Sequence, residues 1–146
     1  FFIKSKLKYM IIYIDMVADL IHVGHLRALK YIKNNICQEN DKLYVGIISD
    51  KDTESYKRIP IINENNRAEM MEGIKYVDKV IRNSPLILTN EFIEEHKIEK
   101  ICIPNNRRDE ELNEWYKFID KSIILKIPYC NELSTTSIIK KIKNIN

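Results

Sequence analysis

The chain has 146 residues, a net charge of +3, 45% apolar residues and 31% charged residues. This length suits one domain with a proper core, and the composition is ordinary for a soluble globular protein. The charge is mild and dispersed, so it does not indicate a nucleic-acid-binding or membrane-binding protein. No apolar run approaches the ~20 residues needed to span a bilayer, so we expect no stable membrane insertion.

The three cysteines, Cys37, Cys102 and Cys130, have no metal-ligand spacing and are odd in number. Reduced thiols in a cytoplasmic protein are therefore expected. Residues 1–9 are basic and apolar but too short and wrongly flanked for a secretory signal. We interpret them as an N-terminal extension and residues 10–146 as a single domain, because no linker or repeat divides the rest of the chain.

Apolar, β-branched runs alternate with segments of helical period, which predicts an α/β fold with a parallel sheet. The predicted strands cover residues 11–15, 42–49, 76–81, 100–103 and 123–127. The predicted helices cover residues 26–36, 63–74, 91–96 and 110–121, with a last helix after Ser134 and a polar loop over residues 50–62. The first helix should bury a stripe made of Leu26, Leu29, Ile32 and Ile36. The chain is thus predicted to be a Rossmann-like three-layer sandwich with a five-stranded parallel sheet.

The connection between the first strand and the first helix carries the most distinctive pattern. His22 and His25 flank Gly24, one of only three glycines, which suggests a position where a side chain would obstruct. Residues three apart on a helix face the same way, so both imidazoles can point at one spot. The N–H groups and partial positive charge of a helix N-terminus suit an anion such as a phosphate. The pattern favours a nucleotide phosphate site.

Two other interpretations stay open for these histidines. Imidazoles with Asp19 nearby could bind zinc, and a histidine in an apolar run is usually a packing or surface residue. In open α/β sheets, ligands bind at the carboxyl ends of the strands, at the topological switch point. The histidine pair, Lys57 after the second strand and Ser134 after the fifth strand all fall on that edge.

Other candidate residues are weaker as bare sequence observations. A lysine in a polar loop, such as Lys57, is more often solvated than bound to a ligand. An arginine near the start of a helix, such as Arg67, is more often a surface residue, although Arg67 could reach a phosphate or pair with Asp78. Hydroxyl side chains at the start of the last helix either cap that helix or form a second anion cradle; these are Ser134, Thr135 and Thr136. Aromatic side chains at helical spacing are more often core or interface than a ligand platform; these are Trp115, Tyr116 and Phe118.

Residues 22–25, His-Val-Gly-His, resemble the HxGH signature of the nucleotidyltransferase superfamily. Further blocks follow in the order of that family, at residues 44–50, 55–58, 63–67, 75–85, 88–92 and 133–136. Together they resemble the cytidylyltransferases that make CDP-alcohols, which are the choline-phosphate, ethanolamine-phosphate and glycerol-3-phosphate enzymes.

The resemblance implies transfer of CMP from CTP to a small phosphorylated or phosphonylated alcohol, ethanolamine-phosphate-like, with release of pyrophosphate. It also implies Mg²⁺ carried largely by the triphosphate, no protein-held metal and a homodimer. The catalytic residues that it implies are His22, His25 and Lys57. The nucleotide-binding residues that it implies are Val17, Ala18, Asp19, Gly24, Arg67, Ser134, Thr135 and Thr136.

Several positions depart from the pattern of the family. Met16 replaces a glycine, and Ala18 replaces a phenylalanine, as in relatives attached to phosphonate pathways. Residues 129–132 replace Arg-Thr-Glu-Gly, residues 103–106 lack the usual carboxylates, and Leu86 replaces an aromatic of the choline enzymes. We therefore expect a retained catalytic face and an altered acceptor pocket, with choline phosphate a poor substrate. The alternatives are a nucleotide-binding domain without turnover and an adenylyltransferase that uses ATP.

Overall fold

The computed structural model describes residues 8–145, and its centre is a parallel sheet. The strands are β1 (Ile11–Met16), β2 (Lys42–Ile48), β3 (Lys79–Ser84), β4 (Ile98–Pro104) and β5 (Ile124–Ile127). They lie in the order β3-β2-β1-β4-β5, and every neighbouring pair is parallel. The predicted five-stranded parallel sheet is confirmed. Most of the predicted N-terminal extension, residues 1–7, lies outside the described residues.

Helices cover both faces of the sheet. They are α1 (Val23–Tyr31), α2 (Asp50–Glu54), α3 (Glu64–Glu72), α4 (Asn90–His96), α5 (Asp109–Trp115) and α6 (Thr135–Lys143). Leu29 of α1 and Met71 of α3 pack on one face, and Phe92 of α4 and Trp115 of α5 pack on the other. The predicted three-layer arrangement is therefore confirmed. Within residues 8–145, no helix is long and apolar enough to cross a membrane.

The central strand β1 supplies side chains to both cores. Ile12 and Ile14 join the core beneath α1 and α3, whereas Ile11 and Tyr13 join the core beneath α4 and α5. A strand of a parallel sheet that is covered on both faces has no solvent side, so its sequence reads as a continuous apolar run. This burial explains why residues 11–14 show no polar alternation.

The third strand begins later than predicted, at Lys79 rather than at residue 76. Tyr76 and Val77 are partly buried against the core from a turn, and pairing with β2 starts only at Lys79. Apolar residues that are buried from a turn look like a strand in the sequence. The predicted bounds 76–81 were wrong for that reason.

Helix α5 ends at Trp115, well before the predicted end at residue 121. The carbonyl of Trp115 accepts the N–H of Leu88 at 2.9 Å, whereas a longer helix would need it to accept from Ile119. Ile119 is buried from the turn that follows. A contact with a distant segment therefore ends a helix whose apolar period continues.

The first helix also differs from its prediction. It begins at Val23 and ends in a π-helical turn, Ile32–Ile36. Leu29 and Ile32 are fully buried as predicted, but Leu26 is 41% exposed, so its place in the buried stripe was wrong. The earlier start puts Leu26 near the N-terminus of the helix, where it is exposed.

The predicted loop over residues 50–62 contains the short helix α2. Ser49 caps this helix, since its hydroxyl accepts the N–H of Asp52 at 3.0 Å. Asn63 caps α3 and Ser134 caps α6, and both agree with the predicted helix starts. Residues 55–62 between α2 and α3 form neither helix nor strand.

The strand order reverses beside β1. The chain runs from β1 to β2 and β3 on one side of the sheet, then crosses to β4 and β5 on the other. The carboxyl ends of β1 and β4 therefore flank the topological switch point, where open α/β sheets bind ligands.

Candidate active site

One cavity of about 580 Å³ opens at the switch point. Of the eleven site residues identified from the sequence, ten line it, and Arg67 does not. The ten are Val17, Ala18, Asp19, His22, Gly24, His25, Lys57, Ser134, Thr135 and Thr136. The expectation that the loops after the first, second and fifth strands meet at one edge is confirmed.

The two histidines are held by the backbone of their own turn. Nδ1 of His22 accepts the N–H of Gly24 at 3.0 Å, and Nδ1 of His25 accepts the N–H of His22 at 3.2 Å. With both Nδ1 atoms acting as acceptors, each neutral ring carries its proton on Nε2. The ring centroids are 4.1 Å apart. The spacing thus brings two Nε2–H donors into one region of the cavity.

Both imidazoles are neutral near pH 7. Burial lowers the pKa of His22 below its ordinary value. Burial, followed by the charges of His22 and Lys57, lowers the pKa of His25 to about 4. Among residues 8–145, no group of three or more His, Cys, Asp or Glu side chains could hold a metal ion, so the zinc interpretation lacks further ligands. The pair is suited to donating hydrogen bonds.

Gly24 leaves room for the first imidazole. A Cβ at this position would lie 2.7 Å from Cε1 of His22 and 3.3 Å from the carbonyl oxygen of Leu133. The first distance is too short for any carbon–carbon contact, so a side chain would displace the ring. The prediction that Gly24 marks a close approach is confirmed by this geometry.

Asp19 joins the turn after β1 to the segment before α3. Its carboxylate is buried and accepts the N–H groups of Ile61 (2.9 Å) and Ile62 (3.0 Å) and the guanidinium of Arg58 (2.8 Å). Burial acts to raise the pKa of Asp19, but these hydrogen bonds outweigh it and hold the pKa below the ordinary value. The residues on both sides, Ala18 and Leu20, have φ of 56° and 49°, so the turn is held in a left-handed conformation.

Lys57 belongs to a segment that is fixed on both sides. The ring of Tyr56 meets that of Trp115 edge-on at 4.8 Å, and Arg58 pairs with Asp19. Lys57 is exposed as a residue, yet it lines the cavity, and its pKa is lowered by burial of the ammonium and then by the charges of Arg58 and Arg107. Within residues 8–145 this ammonium has no hydrogen-bond or ion-pair partner, which leaves it available for an anion.

Arg67 is buried, so the interpretation as a surface arginine was wrong. Its guanidinium donates to the carbonyls of Val17, Ile48 (2.9 Å) and Ile62 (2.9 Å) and pairs with Asp50 at 2.7 Å. The suggested pairing with Asp78 was also wrong, because Asp78 pairs with Lys33 instead. Arg67 ties the ends of β1 and β2 to α3, and it acts on the cavity through Val17.

The start of α6 closes the other side of the cavity. Ser134 caps the helix by accepting the N–H of Ser137 at 3.0 Å, and Thr135 donates its hydroxyl to the carbonyl of Asp19 at 2.6 Å. The first N–H groups of a helix have no partner inside it, and those of Thr135 and Thr136 have none elsewhere among residues 8–145. The capping interpretation of Ser134 therefore holds, while the N–H groups remain open to a ligand.

Sequence reasoning expected an altered acceptor pocket from residues 103–106 but missed four other side chains in the part of the cavity beside β4. Asp15, Tyr56, Arg107 and Glu111 line it. Burial raises the pKa of Asp15 to about 6, although the charge of Arg107 and the hydroxyl of Tyr116 act to lower it. The same edge rule would have found Arg107 if it had been applied to the loop after the fourth strand.

The three aromatics that were predicted as core or interface divide between two environments. Trp115 and Tyr116 are buried, and the Tyr116 hydroxyl lies 3.4 Å from both carboxylate oxygens of Asp15. Phe118 is 53% exposed and is not part of the core. The two buried rings connect the core beneath α5 to the floor of the cavity.

Comparisons with known proteins place the sequence in a family. A family model described as Cytidylyltransferase-like matches residues 15–141. The chain is 36% identical over 135 residues to choline-phosphate cytidylyltransferase A of Mus musculus, which covers 90% of the chain and 36% of that protein. It is 31% identical over 103 residues to the ethanolamine-phosphate cytidylyltransferase of Arabidopsis thaliana, which covers 68% of the chain and 24% of that protein.

A solved structure shares the fold. The lipopolysaccharide core biosynthesis protein from Thermoplasma volcanium GSS1 superposes with a TM-score of 0.67 at 24% identity, over 84% of this chain and 98% of that one. The chain spans less than half the length of the two curated relatives. Since the family model matches most of the chain, this protein belongs to the cytidylyltransferase-like family.

Proposed function

We propose that this chain transfers CMP from CTP to a small phosphorylated or phosphonylated alcohol and releases pyrophosphate. The observation that carries the proposal is the pair of Nε2–H donors on His22 and His25, held through Nδ1 in a cavity that also receives Lys57. The choice of CTP and of a phospho-alcohol is supported by membership of the family and by the names of the relatives.

The reaction needs placed positive charge and hydrogen-bond donors more than it needs a base. A phosphate oxygen of the acceptor attacks the α-phosphorus of CTP, a new P–O–P bond forms, and the bond to the β-phosphate breaks with release of pyrophosphate. The acceptor phosphate is already an anionic nucleophile, so catalysis consists of alignment and stabilisation of developing charge. This matches a site whose histidines are neutral donors.

Each side of the cavity has a part in this step. His22 and His25 donate to the phosphates that gain charge as pyrophosphate leaves. Lys57 offsets the charge on the α-phosphate and on the incoming phosphate. The N–H groups of Thr135 and Thr136 bind the triphosphate from the start of α6, and the turn over residues 17–19 shapes the adjoining wall.

Mg²⁺ would supply charge neutralisation on the triphosphate. The carboxylates that line the cavity do not form a protein site for it: Asp19 accepts three hydrogen bonds, and Glu111 pairs with Arg108 at 2.8 Å. Asp15 lies against the hydroxyl of Tyr116. We therefore propose that the ion is held by the phosphate oxygens.

We further propose a cytoplasmic homodimer. The resemblance to the family implies the pairing, and the three free thiols, Cys37, Cys102 and Cys130, suit a reducing compartment. Sedimentation velocity at several concentrations measures the pairing directly. A species of twice 17.4 kDa supports it, and a single 17.4 kDa species at every concentration refutes it.

The test is pyrophosphate release with Mg²⁺ from CTP and from ATP against a panel of acceptors. The panel contains phosphoethanolamine, phosphocholine, glycerol 3-phosphate and 2-aminoethylphosphonate. We expect release with CTP, and a loss of about 10²–10³-fold in kcat for His25→Ala, since removal of one positioned donor has effects of this size. His96→Ala, on α4 and outside the cavity, is the matched control.

Each outcome has a distinct meaning. Release that requires ATP would replace CTP in the proposal. Nucleotide binding without release for any acceptor, including the carboxylate-bearing acceptors introduced below, would leave a nucleotide-binding domain and refute the transferase. Equal losses for His25→Ala and His96→Ala would show that the effect comes from folding and not from the site.

A further inference from the structure

The cavity extends beyond the histidines to a second region, which we call the Arg107 end. It is formed by Asp15, Tyr56, Leu86, Arg107 and Glu111. Lys57 connects the two regions. The charge of Lys57 lowers the pKa of His25, and the charge of Arg107 lowers the pKa of Lys57. If the triphosphate occupies the side of the histidines and α6, the alcohol portion of the acceptor lies beyond Lys57, at the Arg107 end.

Arg107 presents an open guanidinium to this region. Its guanidinium carbon lies 4.9 Å above the ring centroid of Trp115, so the group is oriented by stacking. Among the described residues it donates no hydrogen bond and forms no ion pair, although it is half-buried. A planar, oriented guanidinium with free N–H groups is suited to bidentate recognition of a carboxylate.

The acidic side chains nearby do not satisfy Arg107. Glu111 pairs with Arg108 at 2.8 Å. Asp15 is buried and receives the hydroxyl of Tyr116 at 3.4 Å. Arg107 and Lys57 therefore leave excess positive charge at this end, which favours an anionic group on the ligand.

The same contacts occupy the ring of Trp115, which is therefore not free to cage a quaternary ammonium. The chain has a single tryptophan, and its ring is already covered by the guanidinium of Arg107 and met edge-on by Tyr56. The neighbouring lining residue Leu86 is aliphatic and has no π face. A cationic head group would have to displace Arg107 or lie beside it, and both arrangements are unfavourable.

Building on the proposed function, we infer that the Arg107 end selects an acceptor whose alcohol portion carries a carboxylate. Arg107 binds this carboxylate, while the phosphate of the same molecule lies at Lys57 and faces the α-phosphorus. In this proposal selectivity for the acceptor follows from Leu86 and Arg107.

The experiment compares acceptors that differ at the carboxylate. O-phosphoserine is matched with phosphoethanolamine, and 3-phosphoglycerate is matched with glycerol 3-phosphate. We expect kcat/KM to be higher for the carboxylate-bearing member of at least one pair. Arg107→Gln should reduce kcat/KM for that member by roughly 10- to 100-fold, the usual size for a lost charged hydrogen bond, and should leave its partner within about threefold.

Arg82→Gln is the matched control, because it makes the same change at a β3 residue outside the cavity, where Arg82 forms an exposed ion pair with Glu72 of α3. Equal or higher kcat/KM for the member without a carboxylate in both pairs, or for phosphocholine over every carboxylate-bearing acceptor, would overturn the inference and leave the transferase standing. The inference would also be overturned if Arg107→Gln lowered kcat/KM equally for both members of a pair. A rise in KM for CTP would overturn it as well, since Arg107 would then bind the nucleotide. No release with any acceptor would refute the transferase itself.

Discussion

At the scale of single residues, the site depends on how backbone N–H groups orient two imidazoles. Because Nδ1 of His22 and Nδ1 of His25 both accept from the backbone, the tautomer is set before a ligand arrives. A metal-binding pair would more commonly direct its free nitrogen lone pairs at the ion. A pair that directs two N–H groups into a cavity is prepared for an anion.

We predict that Gly24→Ala lowers activity while changing stability little. The new Cβ would displace the imidazole of His22, from which it would lie 2.7 Å in the present geometry, so kcat/KM should fall at least tenfold. Alanine is a better helix former than glycine by about 1 kcal/mol. This gain offsets the strain of the displaced ring, so we expect little loss of thermal stability. Steady-state kinetics and thermal unfolding check both.

Gly73→Ala is the control for this substitution. Its Cβ would lie 3.5 Å from the carbonyl of Met70, an ordinary contact, and its φ of −81° suits any residue. It should leave kcat/KM unchanged. Full activity in Gly24→Ala would show that the ring of His22 need not occupy its present position.

His25 predicts a specific dependence of stability on pH. Its pKa is lowered from 6.5 to about 4 in the folded protein, so the unfolded chain binds the proton more readily between these values. The contribution of the neutral ring is complete above pH 6.5 and is lost as the pH falls toward 4. The difference in unfolding free energy between wild type and His25→Gln should therefore shrink through this window.

Urea unfolding of both proteins across that window measures the difference. The comparison also removes the opposing contribution of Asp15, whose raised pKa is common to both proteins. A difference that stays constant from pH 6.5 to about 4 would show that His25 titrates normally in the folded state.

At the scale of elements, segments far apart in the chain determine where Lys57 lies. The segment 55–62 has no helix or strand of its own and is anchored by the Tyr56–Trp115 contact and by the carboxylate of Asp19. An irregular segment held at two points positions a side chain with less loss of entropy on binding. The position of Lys57, the proposed catalytic lysine, therefore depends on contacts made by Trp115 and Asp19.

We predict that Asp19→Ala releases this segment. Two backbone N–H groups and Arg58 would lose their acceptor, which should cost about 1–3 kcal/mol of stability and raise KM for the nucleotide. Amide hydrogen exchange over residues 56–62 should accelerate, while exchange in β1 should not. Asp19→Asn retains one acceptor oxygen and should show a smaller effect. Unchanged exchange in Asp19→Ala would mean that other contacts hold the segment.

We also predict a large loss of stability for Arg67→Met. This side chain is 1% exposed, and its removal would leave Asp50 and three carbonyls without their donor. Each buried carbonyl left without its donor costs about 1–3 kcal/mol, whereas Asp50 is 33% exposed and adds less. Arg82→Gln at the exposed pair with Glu72 should cost less than about 1 kcal/mol. Urea unfolding that gave similar losses for both variants would contradict the structural role assigned to Arg67.

At the scale of the whole molecule, strand order decides where the cavity lies. The reversal at β1 separates the loops that follow β1 and β4, and that opening receives the start of α6 from the far edge of the sheet. The site therefore combines five connections that are dispersed over most of the sequence.

The sequence by itself determined the features of this protein that depend on local patterns. Apolar runs and helical periods identified the parallel α/β fold, cap residues such as Asn63 and Ser134 identified helix starts, and the HxGH turn identified the paired donors. These features depend on neighbours within a few residues. The rule for parallel sheets then placed ten of the eleven candidate residues on one cavity.

Tertiary structure alone decided the features that depend on distant partners. Arg67 is buried because carbonyls from three other segments converge on it, and α5 ends where Leu88 takes the carbonyl of Trp115. Arg107 became part of the site because Trp115 orients it. Hydrogen bonds and stacking across such separations leave no periodic signal in the sequence, since either partner alone looks like an ordinary surface or loop residue.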